Sequence, residues 1–174
     1  MLRLLVSFAL LTALLAPLSA SDGWRPATEA ELKQIIPARA PVERERIETE
    51  MRTASGITNG KEFVAGVVLI TAGYSAEGKY SHFLLTQAPI EIGGLHLQPG
   101  NYVFGWQRNP EADALTVKFY GAQTGKYLGD VEATRSSRIG KIESFHISPP
   151  SEHSAFQIGR FSFTYRLATD SKDK

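Results

Sequence analysis

Several groups of residues in this chain have the types that chemistry uses, and each sets its own demand on the fold. Gly73-Tyr74-Ser75-Ala76-Glu77-Gly78-Lys79 has the glycine and lysine spacing of a phosphate-binding loop and follows an apolar run. That chemistry needs a Ser or Thr after the lysine to hold magnesium, and a helix whose N-terminus faces the phosphates. Tyr80 stands there instead, and Tyr80 to Leu85 reads as strand, so the segment is expected to be a hairpin loop. The four histidines, His82, His96, His146 and His153, include no H-x-H or H-E-x-x-H pair. A metal site would have to assemble from His82 with His96 across strands, or His146 with His153 across a loop. Satisfied or solvent-facing imidazoles are the preferred reading, and no metal or other cofactor is expected.

Nucleophiles fare no better. Ser81-His82 is not read as a catalytic pair, because neighbours in a strand point to opposite faces, and Gly-x-Ser-x-Gly is missing from the sequence. Glu43, Glu45, Glu48 and Glu50 alternate with Arg44 and Arg46, most simply as a self-neutralising wet face. No carboxylate pair for glycoside hydrolysis, which needs a spacing of ~5–9 Å in a cleft, can be placed. No catalytic residue is assigned, and the chain is not expected to be an enzyme. Amphipathic aromatics at loop edges remain: Tyr74 and Tyr80 flank one loop, Tyr120 and Tyr127 another. Tyr74, Tyr80 and Tyr127 are the candidate ligand-binding residues, able to stack on a sugar or form a protein contact. Tyr74, in a Gly/Ser loop, is expected to be the exposed one. Tyr102, Phe104 and Trp106 alternate along one strand and are assigned to the core.

Strands must position these side chains. Thr28 and Glu31 form a capping box before Leu32, Ile35 and Ile36, and Pro37 stops the turn, giving a helix over 28–36. Pro37 and Pro41 mark a stiff connector, which either packs on the body or leaves the helix to fray. From Arg46 the period changes: Ile47, Thr49, Met51 and Thr53 alternate with charged residues, favouring a strand over a rival helix across 42–54. Phe63 to Thr71 is continuously apolar and suits a strand buried on both faces, with Asn59-Gly60 as the turn before it. Further short strands follow from Tyr80 to Leu167, separated by Gly93-Gly94, Pro99-Gly100, Asn109-Pro110, Gly121 to Gly125 and Pro149-Pro150. No later helical period is long enough for parallel crossovers. The expectation is an all-β, antiparallel β-sandwich of about 8–10 strands with a short N-terminal helix. In the last segment Phe156 and Ile158 share one phase, and Phe161, Phe163, Tyr165 and Leu167 the other. A bulge or bend at Gly159 would bring both sets to the core.

Leu97-Gln98-Pro99-Gly100-Asn101-Tyr102, leading into an aromatic strand, and the Gly121 to Lys126 turn resemble exported β-sandwich accessory modules. The likeness is to carboxypeptidase-regulatory or transthyretin-like domains, and to bacterial secreted families of that build. In such a turn Pro99 fixes the bend, Gly100 takes positive φ and Tyr102 packs beneath the loop. The resemblance implies binding or scaffolding and carries over no functional residue.

Composition sets the context. Met1-Leu2-Arg3, the apolar run Leu4 to Ala16 and Pro17-Leu18-Ser19-Ala20 have the layout of a secretory signal, with cleavage after Ala20. The apolar run is shorter than the ~20 residues of a membrane span. Removing 20 of 174 residues leaves 154, one domain's worth. The organisation expected is signal 1–20, helix and connector 21–45, β domain 46–168 and polar tail 169–174, in the periplasm or secreted. There are no cysteines, hence no disulfides or thiolate ligands. Without Arg3 the 19 basic residues become 18 against 18 acidic, a balance that gathers no phosphate backbone, so nucleic acid is not an expected partner. A non-catalytic exported module binding protein or envelope polymer is the first functional expectation. Carbohydrate or small-ligand binding is the second, and a hydrolase with an unrecognised site the third.

Overall fold

A computed structural model describes residues 23–136, 142–150 and 152–167. The leader at 1–20 and the polar tail at 169–174 lie outside the described residues. A two-residue strand, β1 (Arg25–Pro26), precedes the helix α1 (Glu29–Ile35). The capping box forms as its residue types require: the Thr28 hydroxyl accepts from the Glu31 amide, and the Glu31 carboxylate accepts from the Thr28 amide at 2.8 Å. Arg25 adds a two-pronged contact to the same carboxylate. A seven-residue helix is too short to be stable alone. It persists here because Leu32 and Ile36 sink into a core with Ala40, Val42 and Ile47. The segment from Thr28 to Val42 therefore packs on the body.

The connector itself becomes β2 (Arg39–Val42), which pairs with the long β3 (Glu45–Thr58). Strand wins over helix at 46–54 because Ile47 can then bury opposite Ala40 while Glu48 stays wet. The Asn59–Glu62 loop, tied by the Asn59 side chain, turns the chain into β4 (Phe63–Ile70). Next come β5 (His82–Thr86), the small hairpin of β6 (Ile90–Ile92) and β7 (Leu95–Leu97), and then β8 (Gly100–Asn109). The remainder is β9 (Ala114–Gly121), β10 (Tyr127–Arg135), β11 (Glu143–Ile147), β12 (Ala155–Gly159) and β13 (Phe161–Leu167). The fold is all-β and antiparallel, with thirteen strands among the described residues. The extra strands over the expectation are β1 and β2 and the division of the last segment into β12 and β13. One hydrogen-bonded path runs β1-β3-β4-β5-β8-β9-β10-β13-β12-β11.

That path curls until β11 lies against β3, nearly closing the sheet into a barrel-like body. The cause is local. Between Glu50 and Ser55 the register with β4 slips, and the Thr53 hydroxyl takes over the ladder position, accepting from the Val68 amide at 3.0 Å. The bend turns Ser55 toward β11, where its Oγ accepts from the Ile147 amide at 2.9 Å. One side-chain oxygen thus bridges the two ends of the path.

Period-2 alternation then divides the apolar residues between two cores. Inside lie Phe104, Phe119, Phe145, Phe156, Phe163 and Tyr165, in a chain of ring contacts with centroids 5.1–6.1 Å apart. Outside, Val67, Leu69, Phe83 and Val103 are covered by α1, β2 and the 71–81 loop. This is why 63–70 reads as an unbroken apolar run: both of its faces are covered. The 71–81 loop crosses β8 at Gly105, where a Cβ would fall 2.1 Å from the Lys79 carbonyl oxygen.

Two local expectations need correction. Gly159 is neither a bulge nor a bend within one strand. It has φ +58° and, with Arg160, forms a two-residue hairpin between β12 and β13, with Ile158 paired to Phe161. Reversing the chain puts both phases on the core as well as a bulge would, and glycine suits the first central position of such a turn. Gly100 is not among the residues with positive φ; it opens β8 in the ladder opposite Thr86. Tyr102 does fold back over the turn, its hydroxyl donating to the Gln98 carbonyl at 2.5 Å.

Candidate functional site

The inner aromatic packing stops short of one end of the body. At the other end Tyr165 donates to the Ser148 carbonyl at 2.7 Å and fills the interior. At the open end there is a cavity of about 660 Å³, within the ~300–1,000 Å³ range of small-molecule sites, which favour the mouths of curled β-sheets. Its apolar wall is Val68, Leu115, Ile158 and Phe161, with Trp106 at the edge. Each is a strand-end residue in the inward phase. Trp106 shares that phase with Phe104, as the alternation requires, but lies past the last filled layer. It is 45 % exposed where full burial was expected, whereas Phe104 is completely buried. Arg108, Arg135 and Arg160 also line the cavity, and among the described residues no acid does.

The wall carries one polar group of unusual character. His82 is 3 % exposed, its ring stacked on Phe104 at 4.7 Å and tilted against Phe145 at 5.2 Å. Nδ1 is 2.8 Å from Ser81 Oγ, while Nε2 is buried without a hydrogen-bond partner among the described residues. Burial pushes the imidazole down to about 4, with the Ser144 backbone pulling weakly the other way. The opposite-face argument against Ser81 and His82 meeting therefore fails. Ser81 precedes β5, outside the pleat, and its hydroxyl is free to reach the neighbouring ring. The pair is still a poor nucleophile. A base near 4 draws a proton weakly at neutral pH, and among the described residues no carboxylate orients the ring from Nε2.

The tyrosines are arranged differently from the expectation of open stacking faces. Tyr80 is buried, and its hydroxyl donates to Glu43 Oε1 at 2.5 Å. Tyr74 is half-buried against the outer core, and its hydroxyl accepts from Arg39 at 3.2 Å. Tyr127 is exposed, and its hydroxyl donates to Asp130 at 2.7 Å. Tyr120, absent from the candidate set, joins two of them edge-on, with Tyr80 at 5.1 Å and Tyr127 at 5.5 Å. Lys79 lies over the Tyr80 ring at 4.6 Å and pairs with Glu43 at 2.9 Å. Hydrogen bonds from Tyr80 and then Lys79 hold the Glu43 carboxyl below its usual range. The polar ends in this row satisfy one another, so the row works as a bolt between β2–β3, the 71–81 loop and β9–β10. Lys79 is committed to it, and the 73–79 segment is a chain of turns with no helix behind it, unlike a phosphate-binding loop.

His82 and His96 do not meet across strands. His82 faces inward on β5, and His96 is exposed on β7 opposite Glu91. Among the described residues no three His, Asp or Glu side chains are placed to hold a metal. The curl does gather Ser55, His146 and Glu143, which sequence reasoning did not connect. Ser55 Oγ is 3.4 Å and Glu143 Oε2 3.1 Å from the same atom, His146 Nδ1. A relay needs the hydroxyl and the acid on opposite ring nitrogens, so this cluster is a seam contact. No family model, curated protein or solved structure matches this chain, and the cavity rimmed by Trp106 and three arginines is therefore read on its own geometry.

Proposed function

We propose that this chain is a non-catalytic binding module that takes a small, mostly apolar ligand into the cavity beside Trp106, and that it works outside the cytoplasm after losing its leader. The observation that carries this is the unfilled mouth of an otherwise densely packed body. Among the described residues, Val68, Phe161 and Trp106 stand there partly exposed in the inward phase, over a floor made by the buried Leu115 and Ile158. The small-ligand alternative gains over protein or envelope-polymer binding because this apolar surface is concave. Export rests on the leader pattern of residues 1–20. The non-catalytic part of the reading is supported by geometry: among the described residues no partner meets His82 Nε2, and Ser55 and Glu143 both meet the same nitrogen of His146.

A neutral apolar fluorophore, N-phenyl-1-naphthylamine, tests the reading. The account expects saturable enhancement at one probe per chain. Val68→Trp, which fills the cavity, should abolish it while circular dichroism and melting temperature show a folded protein. Enhancement that never saturates, or that Val68→Trp leaves intact, contradicts the proposal.

A further inference from the structure

We infer that the ligand is an amphipathic monocarboxylate, its head held by the arginine rim and its apolar body lying against the inner wall. The inference rests on the cavity reading above and adds the chemistry of the head group.

Three guanidinium groups border the cavity: Arg108 at the end of β8, Arg135 at the end of β10, and Arg160 at the tip of the β12–β13 hairpin. One carboxylate, that of Asp113, lies outside the lining and engages two of them. It accepts from Arg135 Nε at 2.6 Å and Nη2 at 3.0 Å, and from Arg108 at 3.4 Å. Among the described residues at the mouth, three positive charges stand against one negative, a balance of +2, and Arg160 forms no ion pair with any described residue. Asp113 also shows which anion these side chains accept. Arg135 grips its carboxylate with two parallel N–H bonds while a second guanidinium approaches, the planar geometry arginine favours for carboxylates. A guanidinium carries five N–H donors, so neither arginine is exhausted by Asp113.

The wall below has the opposite character. Val68, Leu115, Ile158 and the Phe161 ring offer no charge, and Arg135 already lies over Phe161 at 5.7 Å. A ligand charged throughout would desolvate against this wall, and a wholly apolar one would leave the rim unanswered. An acid with a hydrocarbon or aryl body meets both. The arginines are about half exposed, so each contact with an incoming carboxylate is worth a few-fold in affinity, and the rim together about tenfold.

The test is competition against bound N-phenyl-1-naphthylamine by dodecanoate, dodecanol and dodecyltrimethylammonium, each below its micelle concentration. Dodecanoate should compete about tenfold better than dodecanol, with the cation weakest, and the gap should shrink in 1 M salt. Arg160→Gln, at an exposed turn with no ion pair to a described residue, should narrow the gap between acid and alcohol several-fold. Equal competition by acid and alcohol, both abolished by Val68→Trp, overturns the carboxylate inference and leaves the cavity reading standing. Failure of all three, with no probe binding, sinks both.

Discussion

Protonating His82 would place a charge on a ring that is 3 % exposed and enclosed by Phe104 and Phe145. The charged groups that share its cavity wall among the described residues are the rim arginines Arg108, Arg135 and Arg160. The folded-state value of about 4 lies below the 6.5 of an unfolded imidazole. Above pH 6.5 the ring is neutral in both states and costs nothing. As pH falls, the unfolded chain takes the proton first, and stability drops until the folded value is reached. From 6.5 to about 4 the drop is about 3 kcal/mol at most. The assay is urea unfolding of wild type and His82→Leu at half-unit steps from pH 7.5 to 4. Other carboxylates titrate in both proteins, so the difference between the two curves isolates the imidazole. Wild type should lose about 2–3 kcal/mol more than the variant across that window. Parallel curves would mean the ring meets water or a proton-accepting partner, and the inward placement of β5 would be wrong.

Other perturbations follow from the same geometry. Leu32→Ala should destabilise by about 2–3 kcal/mol in urea titrations, because α1 holds to the outer core chiefly through Leu32 and Ile36; a negligible change would detach the helix from the body. Ser55→Ala removes the acceptor of the Ile147 amide, and should cost about 1–2 kcal/mol and speed hydrogen exchange at that amide; unchanged exchange would deny that β3 and β11 meet there. Gly105→Ala sets a methyl group 2.1 Å from the Lys79 carbonyl; the loop must shift, with a loss of about 2 kcal/mol or more visible in thermal melts. A melting temperature within a degree of wild type would place that loop elsewhere.

Much of the fold was legible because period and turn chemistry act locally. Thr28 and Glu31 announce the helix start, the unbroken run from Phe63 announces burial on both sides, and Asn59-Gly60 announces a hairpin. What escaped depends on residues far apart in sequence. The slip at Thr53 sends Ser55 to Ile147, a contact across 92 positions with no local sign. The phase change at Gly159 was visible, but a bulge and a two-residue reversal satisfy it equally, and only the register of Ile158 with Phe161 separates them. The cavity was half-legible. Trp106 was placed on the inward face correctly, yet alternation cannot say where along a strand the filling stops. Arg135, in phase with the buried Val131 and Ala133, was the signal that could have been used: an arginine on an inward phase marks the rim of an interior. The loop-edge positions of Tyr74, Tyr80 and Tyr127 say nothing about hydroxyl partners such as Glu43 and Asp130.

The most direct measurement is a two-dimensional amide and indole NMR titration of the folded chain with N-phenyl-1-naphthylamine. The account predicts that the Trp106 indole N–H and the amides of Val68, His82, Leu115, Ile158 and Phe161 move together and saturate at one equivalent. Shifts confined to Tyr127 and its neighbours, or spread evenly over the surface, would contradict it.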